Sequence, residues 1–342
     1  MTKAKKPSVK KISELTGFSQ ATVSNALNGK RKVNKETQEK IFQVAEELGY
    51  SLKNSEIHAI RFIVFRRNGL IIDNSNFHPA VIEGVNEEAK NLGLETIYTH
   101  INREDPGFDE QMDKILSDNS TGIVLLATEM NHEDFRLFSE CKSPVVLLDG
   151  WSSRFRFNGV CIDNFDAAEN VIQLLASKGH KRIGYVRGDF RIKAFEERED
   201  GYRREMTRQG FKVKSEDIIT VRTKTETAMQ DMLRWFNEHE DRPTAFFCDN
   251  DVIAYGVLQA AQQCGLKIPE DLSVIGFDDI YFSSICSPPL TTVRVDKKSL
   301  GKAAVRRLIE MMKNPEDIIF KTEICTEIVE RSSVRNLNRK KK

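Results

Sequence analysis

Asp149 and Asp278 each stand directly after a short apolar run, Val145-Val146-Leu147-Leu148 and Val274-Ile275-Gly276-Phe277. Runs of that length and composition suit buried strands. A carboxylate at a strand's carboxyl end is well placed to accept hydrogen bonds from ligand hydroxyls. Asn250 follows the run Ala245–Cys248 and can both donate and accept. Arg198 offers a planar fork of donors for hydroxyl or carboxylate oxygens. Phe77 and Trp151 read as aromatics in loops that follow strands, where an aromatic face can stack on a sugar ring. The six together suit a small, hydroxyl-rich, sugar-like ligand. Each also has a plainer reading as a helix cap, a turn former, a surface ion pair or a core aromatic.

A second set lies near the N-terminus, in Ser19-Gln20-Ala21-Thr22-Val23-Ser24-Asn25. Gln and Asn can bond a base edge through two hydrogen bonds, and Ala and Thr methyls suit the thymine methyl. Ser19, Thr22, Ser24 and the basic loop that follows, with Asn28, Lys30 and Lys32, can hold phosphates and set register. A three-helix module for protein contacts is the plainer alternative.

Reactive constellations are missing from the sequence. It has no G-x-S-x-G elbow, Walker loop, G-x-G-x-x-G or H-E-x-x-H, so an enzyme is not expected. Asp249/Asp251 and Asp278/Asp279 could in principle bind Mg²⁺, but such residues opening helices are more often caps. Six cysteines are scattered with no C-x-x-C pair and no neighbouring histidine. They read as structural, buried thiols in a reducing cytosol rather than a disulfide framework or a zinc site. No metal and no cofactor is expected.

These residues need elements to position them. Val9, Ile12 and Leu15 recur at spacing three in a first short helix, which Gly17-Phe18 breaks. Ser19 suits the N-cap of a second helix, Gln20 to Leu27, with Val23, Ala26 and Leu27 inward. Asn34 can cap a third, whose inward stripe is Ile41, Val44, Ala45 and Leu48. Two short helices joined by a tight turn drop the second into the major groove when they form a helix-turn-helix.

From Arg61 onward the pattern alternates. Apolar runs at Phe62–Phe65, Glu95–Tyr98, Gly122–Leu126, Val145–Leu148, Ile183–Val186, Ala245–Cys248, Val274–Phe277 and Thr291–Val295 are separated mostly by helical stretches such as Pro79–Leu92, Ala167–Lys178, Val252–Cys264 and Lys297–Met312. Repeated βα units mean parallel sheets sandwiched by helices. About 280 residues are too many for one ordinary sheet, so two sheets with a cleft between them are expected. Ligands bind beyond the carboxyl ends of such strands.

Charge follows the same division. The 342 residues carry a net +1, but residues 1–55 carry +6 and residues 331–342 another +6, leaving −11 between them. A basic head on an acidic body suits a protein of which one end meets a polyanion. Arg331–Lys342 lacks apolar periodicity and reads as a solvated tail, at its plainest over 336–342. No stretch approaches the roughly 20 apolar residues of a membrane helix, and the basic N-terminus is not followed by the apolar core of a secretion signal. A cytoplasmic protein is expected.

The residues also carry a specific resemblance. Val9 through Gly29, then Val33 through Glu47-Leu48-Gly49-Tyr50, resembles the headpiece of the lactose/galactose repressor family. Gly179-His180-Lys181-Arg182-Ile183-Gly184, Asp249-Asn250-Asp251, Ile275-Gly276-Phe277-Asp278-Asp279 and Pro288-Pro289-Leu290-Thr291-Thr292-Val293 fall in that family's order and spacing. The likeness implies an N-terminal all-α helix-turn-helix domain (1–50), a hinge (51–61) and a two-lobed α/β body like a periplasmic binding protein (62–335), built on two doubly wound parallel sheets. Lobe 1 is expected to hold about 62–162 and 291–323, and lobe 2 about 163–290 and 324–335. It implies a homodimeric regulator, in most members a repressor, on a pseudo-palindromic double-stranded DNA operator, switched by a small effector in a cleft lined by Asp149, Arg198, Asn250 and Asp278. The alternatives are a sugar receptor with no DNA role and, further off, an enzyme acting on a sugar.

Three departures matter. Asn25 stands where many members have Arg. Ser75-Asn76-Phe77-His78 replaces the usual Asn-Pro-Phe-Phe. The hinge Ser51–Arg61 lacks the usual proline and the leucine that wedges into the minor groove, for which Ile57 and Ile60 are candidate substitutes.

Overall fold

The computed structural model describes residues 8–27, 33–48, 58–73, 77–118, 120–314 and 318–338. The chain folds as two units, 1–58 and 59–342.

The first unit is built from α1 (Val9–Thr16), α2 (Gln20–Leu27) and α3 (Lys35–Glu47). The Ser8 side chain caps α1 by accepting from the Lys11 N–H at 3.3 Å. Gly17 ends it with φ +76°, a left-handed conformation that costs glycine little and other residues more. Ser19 Oγ accepts from the Thr22 N–H at 3.1 Å, and Asn34 Oδ1 from the Thr37 N–H at 2.7 Å, so both expected caps form. Ile12, Val23, Ala26, Leu27, Ile41 and Ala45 close a small core, with Val9, Phe18, Val44 and Leu48 packed around it. Leu15, at the third position of the spacing-three pattern, is exposed.

In the second unit the strands are β1 (Ala59–Arg66), β2 (Glu95–Asn102), β3 (Gly122–Leu126), β4 (Val145–Leu148), β5 (Asn158–Ile162), β6 (Ile183–Gly188), β7 (Ile218–Val221), β8 (Ala245–Cys248), β9 (Ser273–Asp278), β10 (Thr291–Arg294), β11 (Lys321–Ile324) and β12 (Glu327–Val329). The helices are α4 (Phe77–Asn91), α5 (Phe108–Ser117), α6 (His132–Phe138), α7 (Asn164–Ser177), α8 (Lys193–Arg208), α9 (Thr225–Glu238), α10 (Asp251–Gln263), α11 (Tyr281–Ile285) and α12 (Lys297–Lys313). Two six-stranded sheets result, ordered β11-β5-β4-β3-β1-β2 and β12-β10-β9-β8-β6-β7. The first is parallel throughout, while β12 joins the second antiparallel to β10. The chain passes between lobes near Asp163, at Val295–Asp296 and at Cys325–Thr326.

The structure corrects three expectations. Thr291–Arg294 belongs to lobe 2, because β10 pairs in parallel with β9 (Thr291 beside Ile275) and antiparallel with β12; the second crossover therefore follows this strand. Ile60 is fully buried in β1 and cannot wedge into DNA, since the strand begins at Ala59, inside the expected hinge; residues 51–57, with Ile57, lie outside the described residues. Arg331–Asn338 is not a solvated tail. Arg331 meets Asp279 at 2.6 Å and the Leu290 carbonyl at 2.7 Å, and Leu337 N–H donates to the Lys178 carbonyl at 2.7 Å. Side-chain and backbone pairing, which hydropathy does not register, holds this segment down.

All six cysteines are free; Cys161, Cys248 and Cys286 are buried, Cys141 and Cys264 half-buried and Cys325 exposed, so the buried-thiol reading holds for half of them. Among the described residues no helix is long and apolar enough to cross a membrane.

Candidate functional site: an outward helix and an interlobe cavity

On the headpiece, Val23, Ala26 and Leu27 commit one side of α2 to the core, which turns the opposite side outward. Ser19, Gln20 and Ala21 are exposed there, and Thr22, Ser24 and Asn25 are half-exposed. Ser19 Oγ and Thr22 Oγ1 lie 2.9 Å apart, so the cap also orients the Thr22 side chain. These six sequence-picked residues thus share one helix start and one surface. Asn28, Lys30 and Lys32 fall outside the described residues.

In the body, five of the six picked residues meet. Phe77, Asp149, Arg198, Asn250 and Asp278 line one cavity of about 20 Å³ together with Ile71, His78, Thr128, Ile162, Ile192, Ala194 and Phe195. Both lobes contribute. Asp149 follows β4 and Asp278 ends β9, and each bends the chain at positive φ, +55° and +110°. Such conformations are uncommon outside glycine and are held by their surroundings. Asn250 Oδ1 caps α10, accepting from the Ile253 N–H at 3.0 Å; the cap fixes the side chain at the cavity wall. Trp151 is not among the lining residues. Its ring packs over Gly159 of β5, with Lys321 Nζ 5.7 Å from the ring centroid, because the turn after Asp149 carries it along the sheet rather than into the cleft.

Arg198 is the centre of the polar network. Its guanidinium carbon lies 3.5 Å from the Phe277 ring centroid. Its Nε donates to Asn164 Oδ1 at 2.9 Å, one Nη to the Asp249 carbonyl, and the other faces Asp278 Oδ1 at 3.5 Å. Behind it Asp249, wholly buried, accepts from Tyr185 OH, the Gly188 N–H (2.8 Å) and Arg191. On the lobe 1 side Thr128 donates to Asp149 Oδ2 at 2.7 Å, and His78 Nε2 lies 3.4 Å from Thr128 Oγ1 and 3.9 Å from Asp149. Burial pushes the Asp149 carboxyl up to about 7, against the Thr128 hydrogen bond and the Arg198 charge. Burial also raises Asp278, which Arg198 and then Lys297 oppose. Burial holds His78 down to about 4, so its imidazole is neutral at ordinary pH.

Sequence reasoning missed His78, Thr128 and Glu129. Glu129 is buried and accepts five backbone N–H bonds from the loop after β1: Arg67, Asn68 and Gly69 on Oε2, Ile71 and Ile72 on Oε1, at 2.9–3.2 Å. That loop puts Ile71 against Ile192, Ala194 and Phe195 of lobe 2. A lone Glu after a strand carries no signal of this. His78 had one, the replaced family motif around it.

The cavity is walled from both lobes by carboxylates, a guanidinium, a carboxamide and aromatic rings, which together offer hydrogen-bond donors and acceptors to a small polar molecule. The comparisons with known proteins agree in architecture. Residues 8–52 match the bacterial regulatory proteins of the lacI family, and residues 172–334 match the periplasmic binding protein-like domain. The chain is 31% identical over 341 residues to the HTH-type transcriptional repressor PurR of Vibrio vulnificus (strain CMCP6), covering 96% of this chain and 99% of that one. It is 28% identical over 340 residues to the PurR repressor of Actinobacillus pleuropneumoniae serotype 3 (strain JL03), with coverages of 97% and 99%. Among solved structures it resembles the complex of the transcriptional regulator CelR with cellobiose (TM-score 0.73, 21% identity, 96% and 99% covered). It also resembles the Lac repressor dimer bound to operator and the anti-inducer ONPF (TM-score 0.71, 21% identity, 97% and 100% covered). At those identities the two structures speak to the fold. With a headpiece, a two-lobed body and a near full-length likeness to curated repressors, the chain belongs to the lacI family of bacterial regulatory proteins and is a DNA-binding transcriptional regulator.

Proposed function

We propose that this protein represses transcription in the cytoplasm by binding a pseudo-palindromic operator as a homodimer, one headpiece per half-site. A small sugar-like ligand between the lobes switches it. The observation that carries the sensing half is the convergence of Asp149, Arg198, Asn250 and Asp278, from both lobes, on one cavity. The named complexes of similar structures with cellobiose and with ribose support a sugar as the ligand class. Carboxylates held at strand ends accept hydroxyl hydrogens, and the guanidinium and carboxamide donate. In the arrangement described, the cavity has room for about one water, so a sugar enters only when the lobes part. The ligand then shifts the lobe equilibrium by its differential affinity for the two arrangements.

Ser19 at the cap of α2 and Gln20, Ala21, Thr22, Ser24 and Asn25 on the helix read the operator, with Asn28, Lys30 and Lys32 on the phosphates. Selecting duplexes from a random library with the purified protein, then measuring affinity across salt with and without D-ribose, cellobiose and related sugars, tests the whole reading. Enrichment of a palindrome whose affinity falls with salt and shifts with one sugar supports it. A protein that binds sugar but enriches no duplex is a receptor without a DNA role.

A further inference from the structure

Of the three crossovers between lobes, the middle one opens α12, and Lys297 is its first residue. Its side chain is half-buried at the joint. The ammonium donates to the carbonyl oxygens of Asp278 and Asp279, the latter at 3.2 Å, and lies 3.5 Å from that of Val295. It also stands 5.6 Å from the centroid of the Phe77 ring. Asp278 and Asp279 belong to lobe 2, whereas Phe77 opens α4 of lobe 1.

The two ends of this contact differ in freedom. Beyond Lys297, α12 is fixed to α4. A Cβ at Gly84 would collide with the Lys298 carbonyl, and one at Gly301 with that of Val81, so the backbones touch. The Asp278–Asp279 turn, by contrast, holds positive φ at both residues, +110° and +49°. That geometry persists only where neighbours impose it. Lys297 on the two carbonyls, with Arg294 and Arg331 on the Asp279 carboxylate at 2.7 and 2.6 Å, supplies those neighbours.

We propose that Lys297 is a positioning residue, a latch that ties the cavity-facing turn of lobe 2 to the rigid α4–α12 pair of lobe 1 and holds the lobes together. An ammonium has three donors and no acceptor, and its hydrogen-bond partners are carbonyl oxygens on the turn and on its own crossover. Parting the lobes moves the turn away from Phe77, and the latch must stretch or release one side. A ligand that displaces Asp278 therefore moves α12, and with it the lobe from which the chain runs back to the headpiece. The inference rests on the interlobe cavity being the sensing site, but its test needs no ligand.

Hydrogen exchange read by mass spectrometry on the full-length protein, wild type against Lys297→Met and Lys297→Arg, is that test. Methionine keeps a long unbranched side chain and removes the charge and donors; arginine keeps both. In Lys297→Met the cavity-lining segments 69–73 and 190–196, one from each lobe, exchange at least about tenfold faster, while the core strands 123–126 and 245–248 stay protected. Lys297→Arg stays near wild type. Faster exchange confined to 278–280 and 295–300, or equal loosening in both variants, overturns the latch. Should Lys297→Met loosen the core strands as well, Lys297→Gln is read by the same criterion. A wild type that binds no sugar yet shows the expected exchange pattern sinks the sensing reading and leaves the latch. A sugar-responsive wild type whose Lys297→Met cleft stays closed does the reverse.

Discussion

The headpiece and the interlobe cavity present similar side chains in opposite ways. On α2, Gln20 and Ala21 stand in water over a core that is almost wholly apolar. In the cavity, Asp149, Arg198 and Asp278 are all less than a tenth exposed and each has polar partners. A surface that meets a polyanion gains its affinity from charges that salt screens, so its selectivity must come from hydrogen bonds made only on docking. A desolvated site makes its bonds beforehand, and each lost partner leaves a buried group unsatisfied. Substitution should therefore damage function without stability at the headpiece surface, and both together in the cavity.

The largest effect tests the cavity. Arg198→Ala removes the counter-charge of Asp278 and the donor to the Asp249 carbonyl. Breaking a buried pair costs about 3–5 kcal/mol, which urea denaturation would read together with loss of sugar binding. A stable Arg198→Ala protein would show the network to be slack.

Asp149→Asn sharpens the same point through pH. The Asp149 carboxyl keeps its proton to about 7 in the fold but releases it near 4 when unfolded. The folded state binds more protons in that window, so this group's contribution to stability falls as pH rises from about 4 to about 7. His78, held down to about 4, acts oppositely and destabilises as pH falls from its usual 6.5. Asp251, also raised to about 7 by burial, shares the sign of Asp149 and is unchanged in the variant. The wild-type minus Asp149→Asn difference should therefore decline from pH 4 to 7. Parallel curves would mean that Asp149 ionises normally.

At the reader, Gln20→Ala should cost about 1–3 kcal/mol at one base pair of the selected operator and leave the melting temperature unchanged. Uniform weakening on all sequences would make Gln20 a backbone contact. The smallest effect is Ser8→Ala, which removes the α1 cap and should lower headpiece stability by about 1 kcal/mol without altering sequence preference.

Legibility divides along the same line. The three headpiece helices and the caps of the second and third were readable, because local spacing and cap chemistry decide them; the Ser8 cap of the first was not among them. Strands β3, β4 and β8 were readable to the residue as continuous apolar runs buried on both faces. Asn158-Gly159 hides the start of β5, and Lys321–Ile324 is a charged, exposed edge strand, so neither shows in a hydropathy pattern. Helix α8 is rich in charge because Glu199 and Glu205 are buried among arginines, a pairing invisible to periodicity. Asp149, Arg198, Asn250 and Asp278 came from residue type and position, strengthened by the family resemblance, and Phe77 from its place after a strand. Trp151, picked by the same rule, is not among the lining residues of this cavity, since position after a strand does not set the direction of the turn. Glu129 and Lys297 act through backbone groups distant in sequence, which no local pattern encodes.

The central claim is that one molecule couples an exposed DNA reader to a buried sensor. It is tested most directly by the affinity of the full-length protein for its selected palindrome, measured across salt and with each sugar. The account predicts a steep fall in affinity with salt and a shift by one sugar that Arg198→Ala abolishes while headpiece binding persists. Salt-independent binding, or a sugar response that survives Arg198→Ala unchanged, would contradict it.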